Sequence, residues 1–340
     1  MTALLEARDV TKSFGGGLLD RRHTIALRHF SLGLVAGRAS VTAVVGESGS
    51  GKTTLARLLL GLLTPTEGRV MYRGRDLVAM SHAEWRTFRR EVQAVFQDPY
   101  EVYNPFYKVD QVLETPVQKF KLASSKAAAR ELIAETLQTV GLRPEETLGR
   151  YPHQLSGGQR QRIMVARALI VRPRIIIADE PVSMVDASLR ATILASLVKL
   201  NREFGISLVY ITHDLTTAYQ VSQNIVVLYR GTVAEAGNVE QVVRAPKHPY
   251  TRLLVGSVPR ADPRHPWLGQ GAPSDSAARA TATSCPFADR CPDAMPMCIE
   301  ERPPLFQTDP DRVVACFLHR EAPKIAGDEL SRAFVEAIPT

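Results

Sequence analysis

The chain has 340 residues, 45% hydrophobic and 23% charged, the proportions of a globular protein long enough for two domains. Its formal net charge of +7 suits nucleic acid or an anionic membrane face, but it is equally ordinary for a soluble basic protein, so charge selects no function. No apolar run approaches bilayer length (Leu58 to Leu63 comes nearest), and Met1 to Glu6 lacks the regions of a signal peptide, so a cytoplasmic chain that meets a membrane only through a partner is expected.

In chain order, Ala3 to Asp9 and Thr24 to Leu34 alternate as strands around a loop at Gly15-Gly16-Gly17. Phe14, just before that loop, could stack on an adenine, although an isolated aromatic is more often core. The apolar run Val41 to Val45 predicts a buried strand, and Leu55 to Leu60 predicts the start of a helix. Between them lies Gly46-Glu47-Ser48-Gly49-Ser50-Gly51-Lys52-Thr53-Thr54, with the spacing of a P-loop. Its glycines let successive N–H groups turn inward, and the new helix adds its positive dipole end. Lys52 supplies a point charge for β- and γ-phosphates, and the Thr53 hydroxyl is suited to Mg²⁺.

Arg69 to Tyr72 and Val92 to Phe96 read as further strands, the second ending at Gln97-Asp98-Pro99. From about Asp98 to Leu155 the pattern turns helical, with Leu132, Ile133, Leu137 and Val140 at helical spacing and Gly141 as terminator. Leu155-Ser156-Gly157-Gly158-Gln159 then opens a basic helix. Two glycines and a hydroxyl at a helix start make a second phosphate-sized anion site, or simply an ordinary Gly-containing helix start.

Ile175 to Ala178 is too uniformly apolar for a half-exposed strand and predicts a central parallel one. It ends at Asp179-Glu180-Pro181. Neighbouring side chains on a strand point to opposite sides, so one acid can serve Mg²⁺ while the other orients water. Ser207 to Thr212 is a similar strand ending at His213-Asp214, on the edge expected to hold Lys52 and Asp179. Ile225 to Glu235 predicts a hairpin turning at Arg230-Gly231.

Residues 259 to 284, rich in Pro, Ala, Ser and Gly, read as a linker or an irregular surface segment. Beyond it stand all four cysteines, Cys285, Cys291, Cys298 and Cys316. In a reducing compartment their clustering favours zinc or an iron–sulfur cluster over disulfides, with four unrelated buried thiols as the alternative. A short helix is expected around Leu330 to Ala337.

Taken together, the P-loop, Gln97, Leu155 to Gln159, Ile177-Ala178-Asp179-Glu180, Ser183-Met184-Val185-Asp186 and His213 resemble the ATP-binding subunit of ABC transporters. The likeness covers about residues 3 to 258. It implies an α/β P-loop NTPase fold over residues 1–258: a RecA-like core, an antiparallel β subdomain and a helical insertion at about 98–165. A small irregular Cys-containing extension, 259–340, would follow. The resemblance makes Phe14 the adenine-stacking residue and Gly46, Glu47, Ser48, Gly49, Ser50, Gly51, Lys52, Thr53 and Thr54 the phosphate cradle. Thr53, Gln97 and Asp179 would serve Mg²⁺, Glu180 would polarise water, and His213 would meet the γ-phosphate. Ser156, Gly157, Gly158 and Gln159 would close on ATP held by a second ATPase subunit, identical or paralogous, and Asp186 joins the nucleotide set. Thr53 in place of Ser, and Met184-Val185 in place of Ala-Leu, keep the hydroxyl and the acid.

Phe96 to Tyr100, Asn104-Pro105, His248-Pro249-Tyr250-Thr251-Arg252, Cys285-Pro286-Phe287 and Arg290-Cys291-Pro292 look like the oligopeptide/dipeptide importer subfamily. That likeness implies a 4Fe-4S cluster on the four cysteines. It also implies a peripheral place on the cytoplasmic face of the membrane, two transmembrane permease subunits, an extracytoplasmic solute-binding protein that selects cargo with them, and no nucleic acid partner. The alternative, a soluble ABC ATPase of DNA repair or translation, usually carries tandem nucleotide domains or a long coiled-coil insertion; this chain has one P-loop and a short insertion.

Overall fold

The computed structural model describes residues 3–15, 24–35, 37, 39–97, 103–258, 283–327, 329–330 and 334. In chain order, β1 (Ala3–Phe14) and β2 (Thr24–Val35) precede β3 (Val41–Val45) and α1 (Lys52–Leu59). Next come β4 (Glu67–Tyr72), β5 (Arg75–Asp76), α2 (His82–Glu91) and β6 (Val92–Val95). The helical stretch follows: α3 (Asp110–Phe120), α4 (Lys126–Thr139), α5 (Pro144–Thr147) and α6 (Gly157–Leu169). Strands and helices then alternate through β7 (Ile175–Asp179), α7 (Ala187–Phe204), β8 (Ser207–Thr212) and α8 (Leu215–Val221). The hairpin of β9 (Asn224–Tyr229) and β10 (Thr232–Asn238) leads to α9 (Val239–Arg244) and α10 (Pro249–Gly256). Last are α11 (Pro296–Glu300), β11 (Leu305–Asp309), β12 (Arg312–Val314) and β13 (Lys324–Ile325).

The large sheet runs β13-β11-β12-β10-β9-β3-β8-β7-β6. From β9 to β6 the neighbours are parallel, so the ends of β3, β6, β7 and β8 open on one rim. Every residue of β3, β7, β8 and β9 is buried, which is why their sequences are predominantly apolar on both faces. Side-chain alternation divides them between two cores. Val44, Ile175, Ile177, Val209, Ile211 and Val226 pack with α1 under the small antiparallel sheet β2-β1-β4-β5. Val41, Ala43, Val45, Ile176, Ala178 and Tyr210 face the other way, into the core shared with the α3–α10 helices.

The expected helical insertion is present, and Gly141, left-handed at φ 72°, stands just past Val140 at the end of α4. The first strand is longer than its pattern suggests. Asp9 takes φ 48° opposite His29 at φ 47°, and the register shifts between Ala7 and Val10. That bulge breaks the alternation at Asp9, while pairing continues to Phe14. The strands of the C-terminal extension are joined to the large sheet, β12 lying antiparallel to β10 with Ala236 opposite Val313. Phe287, Phe306 and Phe317 belong to the same core as the helices. Gly16, Gly17, Asp98 to Tyr100, linker residues 259–282 and most of the helix expected after Leu330 lie outside the described residues.

Candidate active site

The loop after β3 is shaped by close backbone approaches. Gly46 sits at φ 154°, where a Cβ would lie 2.2 Å from the Leu228 carbonyl oxygen. Gly51, at φ 103°, would drive one to 2.3 Å from the carbonyl oxygen of Ala26. Neither position admits a larger residue without moving β9 or β2. Ser50 N–H donates to Glu47 O at 3.1 Å, and Leu55 N–H donates to Gly51 O at 2.9 Å, closing the first turn of α1. Gly231 in the β9–β10 turn donates to Ser50 O at 3.0 Å, so the hairpin braces the loop from outside.

Lys52 is buried and folds back over this loop, donating to Gly46 O at 2.8 Å and Glu47 O at 2.9 Å. Burial pushes its pKa down, while the nearby carboxylates of Glu180, Asp179 and Glu47 oppose that push. Asp179 ends β7, only 9% exposed. Burial raises its pKa, against a hydrogen bond from the Thr53 side chain. Its Oδ1 and the Ser50 hydroxyl are buried without a hydrogen-bond partner. A buried orphan carboxylate oxygen beside a hydroxyl suits Mg²⁺, which takes one or two protein oxygens and fills its octahedron with water and phosphate.

Glu180 lies one residue beyond, in the left-handed region at φ 48°, a strained place for a non-glycine residue. It is pinned there by donating to Ile211 O at 2.8 Å and accepting from the Ser183 N–H and hydroxyl at 3.3 and 3.0 Å. The turn aims its carboxylate at the end of β8, where Oε1 lies 3.0 Å from His213 Nδ1. Lys52, Thr53, Asp179, Glu180 and His213 are thus brought together by three adjacent parallel strands.

The other expected residues are placed as follows. Gln97 stands exposed just past β6, whose Val95 pairs with Ala178 in β7. Phe14 ends β1, 42% exposed, with Lys12 Nζ 5.3 Å from its ring centroid. Ser156 caps α6: its hydroxyl accepts from Gln159 N–H at 3.2 Å, and the Gln159 side chain accepts from Ser156 N–H at 2.8 Å. Gly158 packs on α7, where a Cβ would lie 2.5 Å from Leu189 Cδ1 and require that side chain to shift. Asp186 caps α7 and is exposed, its side chain making no cap bond. Ser48, Gly49 and Thr54 complete the loop and the first turn of α1.

Cys285, Cys291, Cys298 and Cys316 are free thiols lining one pocket with Phe287, Met295 and Phe317. Burial raises the Cys285 thiol and pushes Cys291 up to about 11 and Cys316 up to about 12. Among the described residues, no group of three or more His, Cys, Asp or Glu side chains is arranged to hold a metal ion. A single zinc needs four donors at about 2.3 Å from one point. The donor arrangement therefore gives no support to a single zinc ion, and the expected 4Fe-4S cluster rests on no more than the four cysteines lining one pocket.

Two residues at the loop carry no sequence signal for it. Tyr250, at the start of α10, accepts from Glu47 N–H at 2.9 Å. Arg290, from the C-terminal extension, forms a two-pronged ion pair with the Glu47 carboxylate at 2.9 and 3.1 Å. Both lie in segments that stand out as motifs, but nothing in their spacing connects them to position 47.

Fold and site together define a P-loop nucleoside triphosphatase. Comparison with known proteins narrows the class. A family model described as ABC transporter matches residues 27–183, and another, oligopeptide/dipeptide transporter, C-terminal region, matches residues 234–298. A putative oligopeptide transport ATP-binding protein, YkfD of Bacillus subtilis, is 42% identical over 285 residues, covering 82% of this chain and 85% of that one. The oligopeptide transport ATP-binding protein OppF of Escherichia coli is 41% identical over 77% of this chain and 79% of its own length. Among solved structures, the dimeric ATP-binding cassette MJ0796 in a post-hydrolysis state with ADP and Pi is 30% identical, with a TM-score of 0.61 over 69% of this chain and 98% of that one. The chain belongs to the ABC transporter family of ATP-binding subunits, in its oligopeptide/dipeptide branch, and is an ABC-type ATPase.

Proposed function

We propose that this chain is the ATP-hydrolysing subunit that powers an importer of peptides or related small solutes across the cytoplasmic membrane. The observation that carries the reading is the contact between Glu180 and His213 at the ends of β7 and β8, beside Lys52 and Asp179. In this reading the loop N–H groups and Lys52 bind the triphosphate, with Lys52 exchanging its bonds to Gly46 O and Glu47 O for phosphate oxygens. Thr53, Gln97 and Asp179 hold Mg²⁺, which when bound neutralises charge on the β- and γ-phosphates. Glu180 orients and polarises the attacking water, and His213 keeps the Glu180 carboxylate aimed while meeting the γ-phosphate. Phe14 stacks on the adenine once Lys12 leaves its face.

Ser156 to Gln159 and Asp186 complete the site of a second ATPase subunit, a reading supported by the dimeric state of the related MJ0796 cassette. Closure of that dimer on ATP and its reopening after hydrolysis would drive two permease subunits, served by an extracytoplasmic solute-binding protein. Among the described residues no helix is long and apolar enough to cross a membrane, consistent with peripheral attachment at the cytoplasmic face. In this reading the segment from Asp98 to Pro105 lies under a permease helix and transmits the motion, and a groove of about 570 Å³ between α1, β6 and α3, lined by Leu62, Phe88, Phe96, Asn104 and Phe120, is the surface for that contact. Phe106 beside that segment is 86% exposed. The reading takes residues 1–258 as the ATPase domain and 259–340 as the extension characteristic of the branch. The relatives favour it over a role in DNA repair or translation.

We further propose that the cysteine pocket seats a 4Fe-4S cluster. Support comes from the convergence of all four cysteines on one largely apolar pocket; a multi-iron cluster spreads its thiolates over several metal atoms and needs no single-ion geometry. Equal iron and acid-labile sulfide in anaerobically purified protein, lost in Cys298→Ser, is the expected result; zinc, or no metal, would overturn it. The transport reading is tested by purification in mild detergent and uptake of labelled peptides by intact cells. Copurifying permeases, and uptake abolished by Glu180→Gln, are expected; copurifying ribosomes or DNA would overturn it.

A further inference from the structure

Glu47, in the phosphate loop, is held through its backbone and its side chain alike. Its N–H donates to the Tyr250 hydroxyl at 2.9 Å, and its carbonyl accepts from Lys52 Nζ at 2.9 Å and Ser50 N–H at 3.1 Å. Its carboxylate is forked by both terminal nitrogens of Arg290, at 2.9 and 3.1 Å, across 243 residues of chain. Arg290 is itself held. Its Nη1 reaches the Tyr229 hydroxyl at 3.3 Å, and its guanidinium lies 5.8 and 5.7 Å from the ring centroids of Tyr229 and Phe287. Those two rings and Tyr250 pack on one another, with Tyr229 and Tyr250 centroids 4.5 Å apart and Tyr229 and Phe287 5.2 Å apart.

The location poses an electrostatic problem. A carboxylate in a phosphate loop repels the triphosphate and competes for Lys52, whose charge it already feels. A planar guanidinium that takes both carboxylate oxygens neutralises the acid and fixes where it points. We propose that Arg290 is a positioning residue for nucleotide binding: it holds the Glu47 carboxylate out of the triphosphate path, so the C-terminal extension sets the ATP affinity of the loop. This rests on the reading of Gly46 to Thr53 as the phosphate-binding loop. Arg290 touches no reacting atom and acts through Glu47.

Removing one partner of such a pair leaves the other charge uncompensated, whereas removing both does not. Arg290→Met keeps an apolar stem against Tyr229 and Phe287 but loses the charge. The test is titration of the full-length chain with a fluorescent ATP analogue and Mg²⁺, together with the KM for ATP and kcat. Arg290→Met is expected to weaken binding about tenfold, the scale of one charge-assisted contact, and to raise KM with kcat at saturating ATP unchanged. The double variant with Glu47→Gln should bind at least about fivefold more tightly than Arg290→Met alone, and within about twofold of Glu47→Gln measured as the fourth corner of the cycle. Arg290→Lys, which keeps the charge but not the fork, should lose about threefold, and Glu47→Gln should cure that loss as well.

Wild-type affinity in both Arg290 variants would overturn the proposal. So would a double variant no better than Arg290→Met alone, since packing loss is not repaired by neutralising an acid. A wild-type chain that binds no nucleotide would overturn the phosphate-loop reading and this proposal with it; binding by the wild type without rescue overturns the proposal alone.

Discussion

The rim at the ends of β3, β7 and β8 and the extension built from β11 to β13 both bring charged groups to the nucleotide loop, by opposite routes. At the rim each group follows directly on the strand that places it: Lys52 through the loop after β3, Asp179 and Glu180 at the end of β7, His213 past β8. Parallel pairing then aligns the strand ends, so local sequence carries most of the geometry. The extension reaches the loop because β12 is zipped to β10 and Arg290 lies over Tyr229 and Phe287, which pack edge-to-face with Tyr250 tilted against them. The difference separates chemistry written in contiguous motifs from chemistry assembled by packing, and it predicts that damage at the two regions will look different.

The largest effect belongs to the rim. Glu180→Gln should lower kcat by about 100-fold or more while leaving ATP binding intact, read by steady-state hydrolysis beside nucleotide titration. Substantial residual turnover would mean that the Glu180–His213 contact does not orient the water. Gly51→Ala comes next, because its Cβ meets the Ala26 carbonyl oxygen at 2.3 Å in a left-handed conformation. It should cost about 2 kcal/mol or more of stability and most of the nucleotide affinity, measured by denaturant unfolding and ATP titration. Arg290→Met, with its repair by Glu47→Gln, is expected to be smaller, about tenfold in affinity and curable as rim damage is not.

The smallest effect lies within the extension. Burial works against the charge of Asp309, but hydrogen bonds from Arg312 and Lys247 hold its pKa down to about 2, from the usual 3.8. A carboxylate depressed on folding contributes stability that is complete above its unfolded value and is lost as pH falls from about 4 through about 2. Asp309→Asn should therefore cost about 1 kcal/mol near neutral pH and flatten the acid limb in that window, seen by thermal melts across pH. An unchanged acid limb would show that the β11–β12 ion pairs do not secure the extension.

The buried strands and the loop after β3 were legible because their patterns are local. Val41 to Val45 and Ile175 to Ala178 are largely apolar on both faces and announce a covered parallel strand. The length of β1 was not legible, since the bulge at Asp9 inverts the alternation partway along. The small strands β5 and β11 to β13 are too short to show a period, and pairing with neighbours makes them strands. The cysteine reading depended on composition, which locates the thiols but says nothing about how their sulfur atoms converge.

By itself the sequence determined that the Gly-rich loop, the paired acids and the histidine stand at the ends of buried strands, because each motif is contiguous with the strand or helix that aims it. Only the tertiary structure decided that Glu180 is turned left-handed onto His213, and that Glu47 answers to Arg290 and Tyr250. Those contacts join residues far apart in the chain, and burial and close packing select such partners with no spacing rule to announce them.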